Sequence, residues 1–389
     1  MIRTTRSWRV AAAAAAAGLT LAACGSTEDS GNDGDSASAS ASASGEPACD
    51  LKIAFMGALT GPAAGLGIAA VNGAELAIEQ YNEENSDCPV EFVKQDSQSD
   101  PEQAPGVAKD IIDDEKVIGL VGPLFSGESE AADPLFEEAG LPMITASATN
   151  PDLSTNGWQY FHRILGNDAS QGPQVGNVLT EIVKAERPFL VEDDSAYGQG
   201  LTDEARKDLG DIVAGEDRVT TGQTDFQPTV TKILDADADA VFFGGYYPEA
   251  QVFIKQLRGA GFEGAFVVPD GVKDPSYIEV AGEDAEGTIV TCPCVPGETV
   301  DEFSDAYTEM FNEEPGTYGP EAYDAANVFL DGIAEGITDR AEMNEFVSNY
   351  DAEGISKNVS FDETGESEEV PIWSYEVKND EFVPLEQLQ

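Results

Sequence analysis

Histidine is nearly missing from this 389-residue chain, with His162 the only one. No catalytic cluster can therefore be built from several histidines. Basic residues are also scarce: 20 Lys and Arg face 74 Asp and Glu, a net charge of −54. Such a surface repels phosphate backbones and acidic lipid, so nucleic acid is excluded as a partner. The apolar run Val10–Ala23 is too short to span a membrane as a mature helix. There is no P-loop and no GxSxG nucleophile elbow. A hydrophobic content of 41% is that of a soluble globular protein, and the length gives room for two domains with appendages.

The first 24 residues read as a processing signal. Arg3, Arg6 and Arg9 precede the alanine-rich run, which fits the apolar core of a secretory leader. Its end, Leu21-Ala22-Ala23-Cys24, resembles the bacterial lipobox. That resemblance implies cleavage and lipid attachment at Cys24, and so a membrane contact through the anchor. Residues 25–48 hold seven Ser, five acids and no bulky apolar side chain, which makes them a flexible tether. Removing the leader takes away three Arg and no acid, so 17 basic residues then face 74 acids and the charge becomes −57. Operation in high salt, where self-repulsion is screened, explains that excess.

Cys49, Cys88, Cys292 and Cys294 remain, an even number that suggests disulfides outside the cell. Cys49 and Cys88 each precede a strand-like run. If those strands are parallel neighbours, a Cys49–Cys88 bridge is feasible and Cys292 pairs with Cys294 in the loop TCPC. A metal site there lacks a His or acid at ligand spacing.

From residue 50 the pattern alternates. Strand-like runs at Leu51–Ala58, Val90–Gln95, Val117–Leu124, Pro142–Ala146 and Tyr160–Leu165 are separated in part by helical stretches such as Gly67–Asn82 and Gln103–Asp114. The rhythm resumes with strands at Pro188–Val191, Ala240–Gly244, Ala265–Pro269 and Gly287–Cys292, and with helices at Gly172–Lys184, Gly200–Leu209, Pro228–Leu234 and Glu249–Gly259. This is the signature of βαβ units and parallel sheets. One barrel or two open sheets would both accommodate it. The tail favours two lobes: helices at Val300–Phe311, Glu321–Gly336 and Arg340–Tyr350 come together, followed by strand-like Lys357–Phe361 and Ile372–Val383. Ligands of open α/β sheets sit at the carboxyl ends of the strands.

Several motifs dissolve on inspection. Gly259–Gly264 matches GxGxxG but follows a helix and precedes a strand, the reverse of the dinucleotide-binding context. Asp235, Asp237 and Asp239 begin like a calcium loop, yet the required Gly is Ala240 and the twelfth position is Tyr246. His162 lies in YFHRIL, where a structural role is expected. More informative is VIGLVGPLFSGESEAADPLF, a strand, a turn and a helix beginning at Ser126. A helix start of this kind accepts a carboxylate, and Ser147 and Thr149 of MITASATNPDL end the next strand at the same sheet edge. Asp270 closes the apolar strand AFVVPDG.

The segments GALTGPAAGLG, VIGLVGPLFSGESEAADPLF, MITASATNPDLS, DASQGPQ, AYGQGL, FFGGYYPEA and VPDGV occur in this order. As a set they resemble the leucine/isoleucine/valine-binding proteins of ABC transporters. The resemblance implies a type I periplasmic-binding fold: two lobes, each a mostly parallel sheet flanked by helices, joined by a three-stranded hinge. The expected lobes are 49–166 plus 295–356 and 167–294 plus 357–389. It further implies that Ser126 and Thr149 bind a ligand α-carboxylate through their hydroxyls and Ser147 through its backbone. Asp270 would pair with the α-ammonium, Tyr197 and Tyr246 would line the cleft, and Tyr318 and Leu124 would meet the ligand side chain. Leu66 stands where the family often has an aromatic residue, which leaves the pocket size open. The implied partners are a free amino acid, an ABC permease and its ATPase; the implied form is a monomer without cofactor or metal. Alternatives within the same fold are a short amide, a urea-like compound or an aromatic acid as ligand, and a sensor role. An enzyme lacks a second catalytic group beside any candidate nucleophile.

Overall fold

The computed structural model describes residues 49–388. The leader 1–24 with Cys24, and the tether 25–48, lie outside the described residues.

Five strands, β1 Lys52–Gly57, β2 Glu91–Asp96, β3 Val117–Val121, β4 Met143–Thr145 and β5 Phe161–Arg163, form a first sheet. Their order is β2-β1-β3-β4-β5 and every pairing is parallel. Helices α1 Ala64–Glu84, α2 Ala104–Ile112, α3 Ser126–Ala139 and α4 Asp152–Thr155 connect them. All five residues of β3, VIGLV, are buried, as a strand covered on both faces by helices must be. Because Lys52 is in register with Glu91, the residues before β1 and β2 lie together, and Cys49 is bonded to Cys88 with their Cα atoms 4.6 Å apart.

The second lobe repeats the scheme with β6 Pro188–Asp193, β7 Gly215–Val219, β8 Ala240–Gly244, β9 Ala265–Pro269 and β10 Ile289–Cys292. Its helices are α5 Asp168–Asn177, prolonged by a π-helical turn at 178–182, α6 Ala196–Leu209, α7 Gln227–Asp235, α8 Tyr247–Gly259 and α9 Pro275–Ala281. β7 and α9 were not foreseen. The polar sequence GEDRV of β7 suits a half-exposed sheet edge and carries no apolar run, and α9 spans only seven residues.

The chain then returns to the first lobe as α10 Asp301–Phe311, α11 Gly319–Ala334 and α12 Arg340–Ser348. Gly73 of α1 lies so close to α11 that a Cβ on it would meet the Gly319 carbonyl oxygen at 2.0 Å; the two helices touch backbone to backbone there. A short hairpin follows, β11 Asp351–Glu353 with β12 Asn358–Ser360, and the chain ends in β13 Ile372–Lys378 and β14 Glu381–Leu388. The second sheet reads β14-β13-β10-β9-β8-β6-β7, with β13 antiparallel to both neighbours.

Two expectations for the tail need correction. The run Ile372–Val383 is not one strand: Asn379 and Asp380, at φ 54° and 65°, turn it into a hairpin. The lobe boundary expected at 357 also moves, because residues 358–366 stay with the first lobe. The Arg163 N–H donates to the Gly365 carbonyl at 2.8 Å, and the His162 ring packs on Phe361 at 5.1 Å between centroids. The return to the second lobe comes only with β13. Local alternation identifies a strand but does not name its partner.

Three crossovers join the lobes, after β5, after β10 and before β13. They meet at Gly166, where a Cβ would stand 3.1 Å from Ile372, 3.3 Å from Val370 and 3.4 Å from Pro293. The absence of a side chain lets the three run together. In each sheet the strand order reverses beside the first strand of the lobe, β1 or β6, and a ligand crevice forms at such a reversal.

Candidate functional site

The first wall of the cleft is built by the ends of β3 and β4. Ser126 opens α3, and its hydroxyl accepts from the Asn150 N–H at 3.2 Å. The Ser147 hydroxyl donates to the Leu124 carbonyl, which ties the loop after β4 to the loop after β3. Thr149 is fully buried and its Oγ1 has no hydrogen-bond partner. Ser126, Ser147, Thr149 and Leu124 therefore form one buried constellation at the head of a 14-residue helix. Unpaired donors at such a place suit an anion.

The opposite wall is acidic. Asp270, at the end of β9, is fully buried. Its Oδ1 accepts from Gln171 Nε2 at 2.6 Å and from the Tyr197 hydroxyl at 2.9 Å, and its Oδ2 accepts from the Tyr318 hydroxyl. Burial pushes the Asp270 carboxyl up, while these three donors favour its ionised form. Tyr246 packs against Tyr197 at 5.0 Å and against Phe125 of the other lobe at 5.5 Å. Leu66 and Leu124 are buried in the same apolar cluster as Phe125 and Tyr318, with Tyr246 packed against it.

Two polar groups of the site were missed. Asp168 and Gln171 lie three residues apart on one face of α5, at the point where the chain enters the second lobe. The spacing of the two polar residues within DASQGPQ is the sequence signal that marks them. Asp168 is fully buried and neither carboxyl oxygen has a hydrogen-bond partner. Burial pushes its pKa up to about 8, and the nearby Asp270 charge acts the same way. The Thr149 hydroxyl faces it closely enough to favour ionisation yet outside hydrogen-bond geometry, and the Arg163 charge also opposes the rise.

Bonds between the lobes close the cleft. Besides Tyr318 to Asp270, Asn150 Nδ2 donates to the Ala196 carbonyl at 3.0 Å and the Gly65 N–H to the Tyr247 hydroxyl at 3.3 Å. The Thr317 hydroxyl donates to the Lys273 carbonyl. The buried hydroxyls of Ser126, Ser147 and Thr149 thus stand on one side and the buried acids Asp168 and Asp270 on the other. A charged group taken out of water needs an opposite or hydrogen-bonding partner. His162 is not part of it: its Nε2 lies 3.1 Å from the Ser348 hydroxyl on α12, and burial pushes its pKa down to about 4. Among the described residues no group of three or more His, Cys, Asp or Glu side chains is arranged to hold a metal ion. Cys292 and Cys294 are bonded to each other.

A family model described as periplasmic binding protein matches residues 50–381. The Leu/Ile/Val-binding protein of Escherichia coli K12 is 32% identical over 327 residues, covering 82% of this chain and 88% of that protein. The leucine-, isoleucine-, valine-, threonine- and alanine-binding protein of Pseudomonas aeruginosa PAO1 is also 32% identical, over 340 residues, covering 85% and 90%. A crystal structure of a branched-chain amino acid transporter substrate-binding protein from Streptococcus pneumoniae, in complex with isoleucine, superimposes with a TM-score of 0.81 at 27% identity. It covers 87% of this chain and 100% of that one.

Proposed function

Because this chain belongs to the periplasmic binding protein family, we propose that it is the substrate-binding component of an ABC importer, taking a free amino acid with a branched aliphatic side chain. The observation that carries this reading is the opposition, within one closed cleft, of Ser126, Ser147 and Thr149 to Asp168 and Asp270. The ligand carboxylate lies against Ser126, Thr149 and the backbone at Ser147. The ammonium enters between Asp168 and Asp270 and turns two costly buried acids into paired ones. Leu66, Leu124, Phe125, Tyr246 and Tyr318 supply an apolar and aromatic lining for a short aliphatic side chain.

Binding and closure are one event in this reading. Ligand contacts on both walls exist only when the lobes meet, so the ligand selects the closed form and the closed form engages the permease. The leader sequence and Cys24 support an extracellular, lipid-anchored protein.

Calorimetric titration of the domain from residue 49, unfolded and refolded to strip retained ligand and kept in high salt, tests the reading. Leucine, isoleucine or valine should bind tightly, and 4-methylpentanoate, which is leucine without its amino group, should not. Binding only to acids or amides that lack an ammonium would keep the fold and overturn the ligand.

A further inference from the structure

We propose that Arg163 is the positioning residue of the carboxylate cradle, holding the carbonyls of Ala148 and Asn150 on either side of Thr149, and that Glu366 in turn fixes Arg163. The inference rests on the amino-acid reading of the cleft and deepens it.

Arg163 is the last residue of β5 and is fully buried. Its Nη1 donates at 2.9 Å to the carbonyls of both Ala148 and Asn150, the neighbours of Thr149. Its Nε donates to Glu366 Oε2 at 3.0 Å and its Nη2 to Glu366 Oε1. The planar fork of a guanidinium can face two carbonyls on one edge and a carboxylate on the other, which a lysine ammonium cannot. A trans peptide directs its N–H opposite to its carbonyl, so turning the Ala148 carbonyl toward Arg163 turns the Thr149 N–H away from it. The remaining groups of this loop are also fixed: the Asp168 N–H donates to the Thr149 carbonyl at 2.9 Å and the Asn150 N–H to Ser126. What stays unpartnered is the Thr149 hydroxyl. The loop is thus held in its binding shape before any ligand arrives, which lowers the ordering cost of binding.

Glu366 adds a connection to the hinge. It lies between β12 and β13, in the segment that leads into the third crossover, and it sits 203 residues from Arg163 in sequence. The half-buried Glu366 carboxylate neutralises the buried guanidinium from the side away from the carbonyls. Arg163 is therefore held by the hinge segment while it holds the cradle.

The test compares L-leucine with L-leucinamide, which keeps the ammonium and side chain but lacks the carboxylate, on the wild-type domain and on Arg163→Lys and Glu366→Gln. For Arg163→Lys, leucine affinity should fall about 10- to 100-fold. Leucinamide affinity, read by competition at millimolar concentration, should change less than about threefold, within the spread of a weak polar contact. Glu366→Gln should show a smaller loss with the same selectivity, and it serves alone if the lysine variant does not fold. Amide hydrogen exchange without ligand should lose protection at Asn150 and its neighbours, and not along β3 and β4. Equal weakening of both ligands, unchanged leucine affinity, or loss of protection throughout the sheet would each overturn the positioning role. A wild-type domain that ignores every free amino acid would instead overturn the reading of the cleft and this role with it.

Discussion

The Tyr318 hydroxyl, carried by the first lobe, donates to Oδ2 of Asp270, carried by the second. Tyr318 immediately precedes α11 with a left-handed backbone, φ 69°. Asp270 immediately follows β9 and is held by Tyr197 and Gln171 of its own lobe. In the proposed amino-acid reading, the carboxylate that pairs with the ligand ammonium also receives the hydrogen bond between the lobes, so binding and closure share an atom group.

Tyr318→Phe removes that bond while keeping the ring. Amino-acid affinity should fall about tenfold, the worth of a hydrogen bond to a charged group. Thermal stability without ligand should change little. Calorimetry beside a melting curve checks both, and unchanged affinity would remove Tyr318 from the closing contact.

Asp168 and Asp270 should behave differently on substitution. Asp270→Asn and Asp168→Asn should each reduce leucine affinity by at least about 100-fold, as expected when a buried charge partner is lost. Asp168→Asn should in addition raise the melting temperature of the ligand-free domain at pH 8, because an unpartnered buried acid is replaced by a neutral group. A variant that binds leucine normally would exclude that residue as an ammonium partner.

The raised pKa of Asp168, about 8 against an ordinary 3.8, sets a pH dependence. The ligand-free folded protein keeps a proton here that the unfolded chain has released, so stability is lost as pH rises from about 4 to about 8. Glu128, pushed to about 8, and Asp193 and Glu321, pushed to about 7 by burial, act in the same direction. Binding an ammonium demands the ionised Asp168, so leucine should expel a proton at pH 7 and bind more weakly as pH falls. Titrations in buffers of different ionisation enthalpy read that proton directly, and Asp168→Asn should abolish it.

Both disulfides can be checked by thiol counting. The native domain should offer no reactive thiol, and four should appear after reduction and unfolding. Loss of Cys49–Cys88, which spans 39 residues, should cost about 4 kcal/mol by loop entropy, read as a lower denaturation midpoint. Four free thiols in the native protein would refute the bonds.

Much of the fold was legible along the chain because burial writes itself into short runs. VIGLV and AVFFG are wholly buried strands, and their apolar content alone identifies them. Ser126 opens its helix as the strand, turn and helix pattern implies. The edge strand β7 left no such trace, since a half-exposed strand needs few apolar residues.

The candidate site divides the same way. Residue type and position at strand ends singled out Ser126, Ser147 and Thr149 within the sequence, and the family resemblance pointed to Asp270. Asp168 resembles any other of 74 acids until the fold buries it with both oxygens unpaired. Composition and periodicity by themselves determined the charge, the two α/β lobes and the sheet edges at which a ligand can sit, because each is a property of a short stretch of chain. Only the tertiary structure decided that residues 358–366 stay with the first lobe, that Arg163 meets Glu366, and that Tyr318 reaches Asp270. Those pairings depend on which surfaces the crossovers bring together, and a pattern repeated every two or four residues contains no record of a partner 48 or 203 residues away.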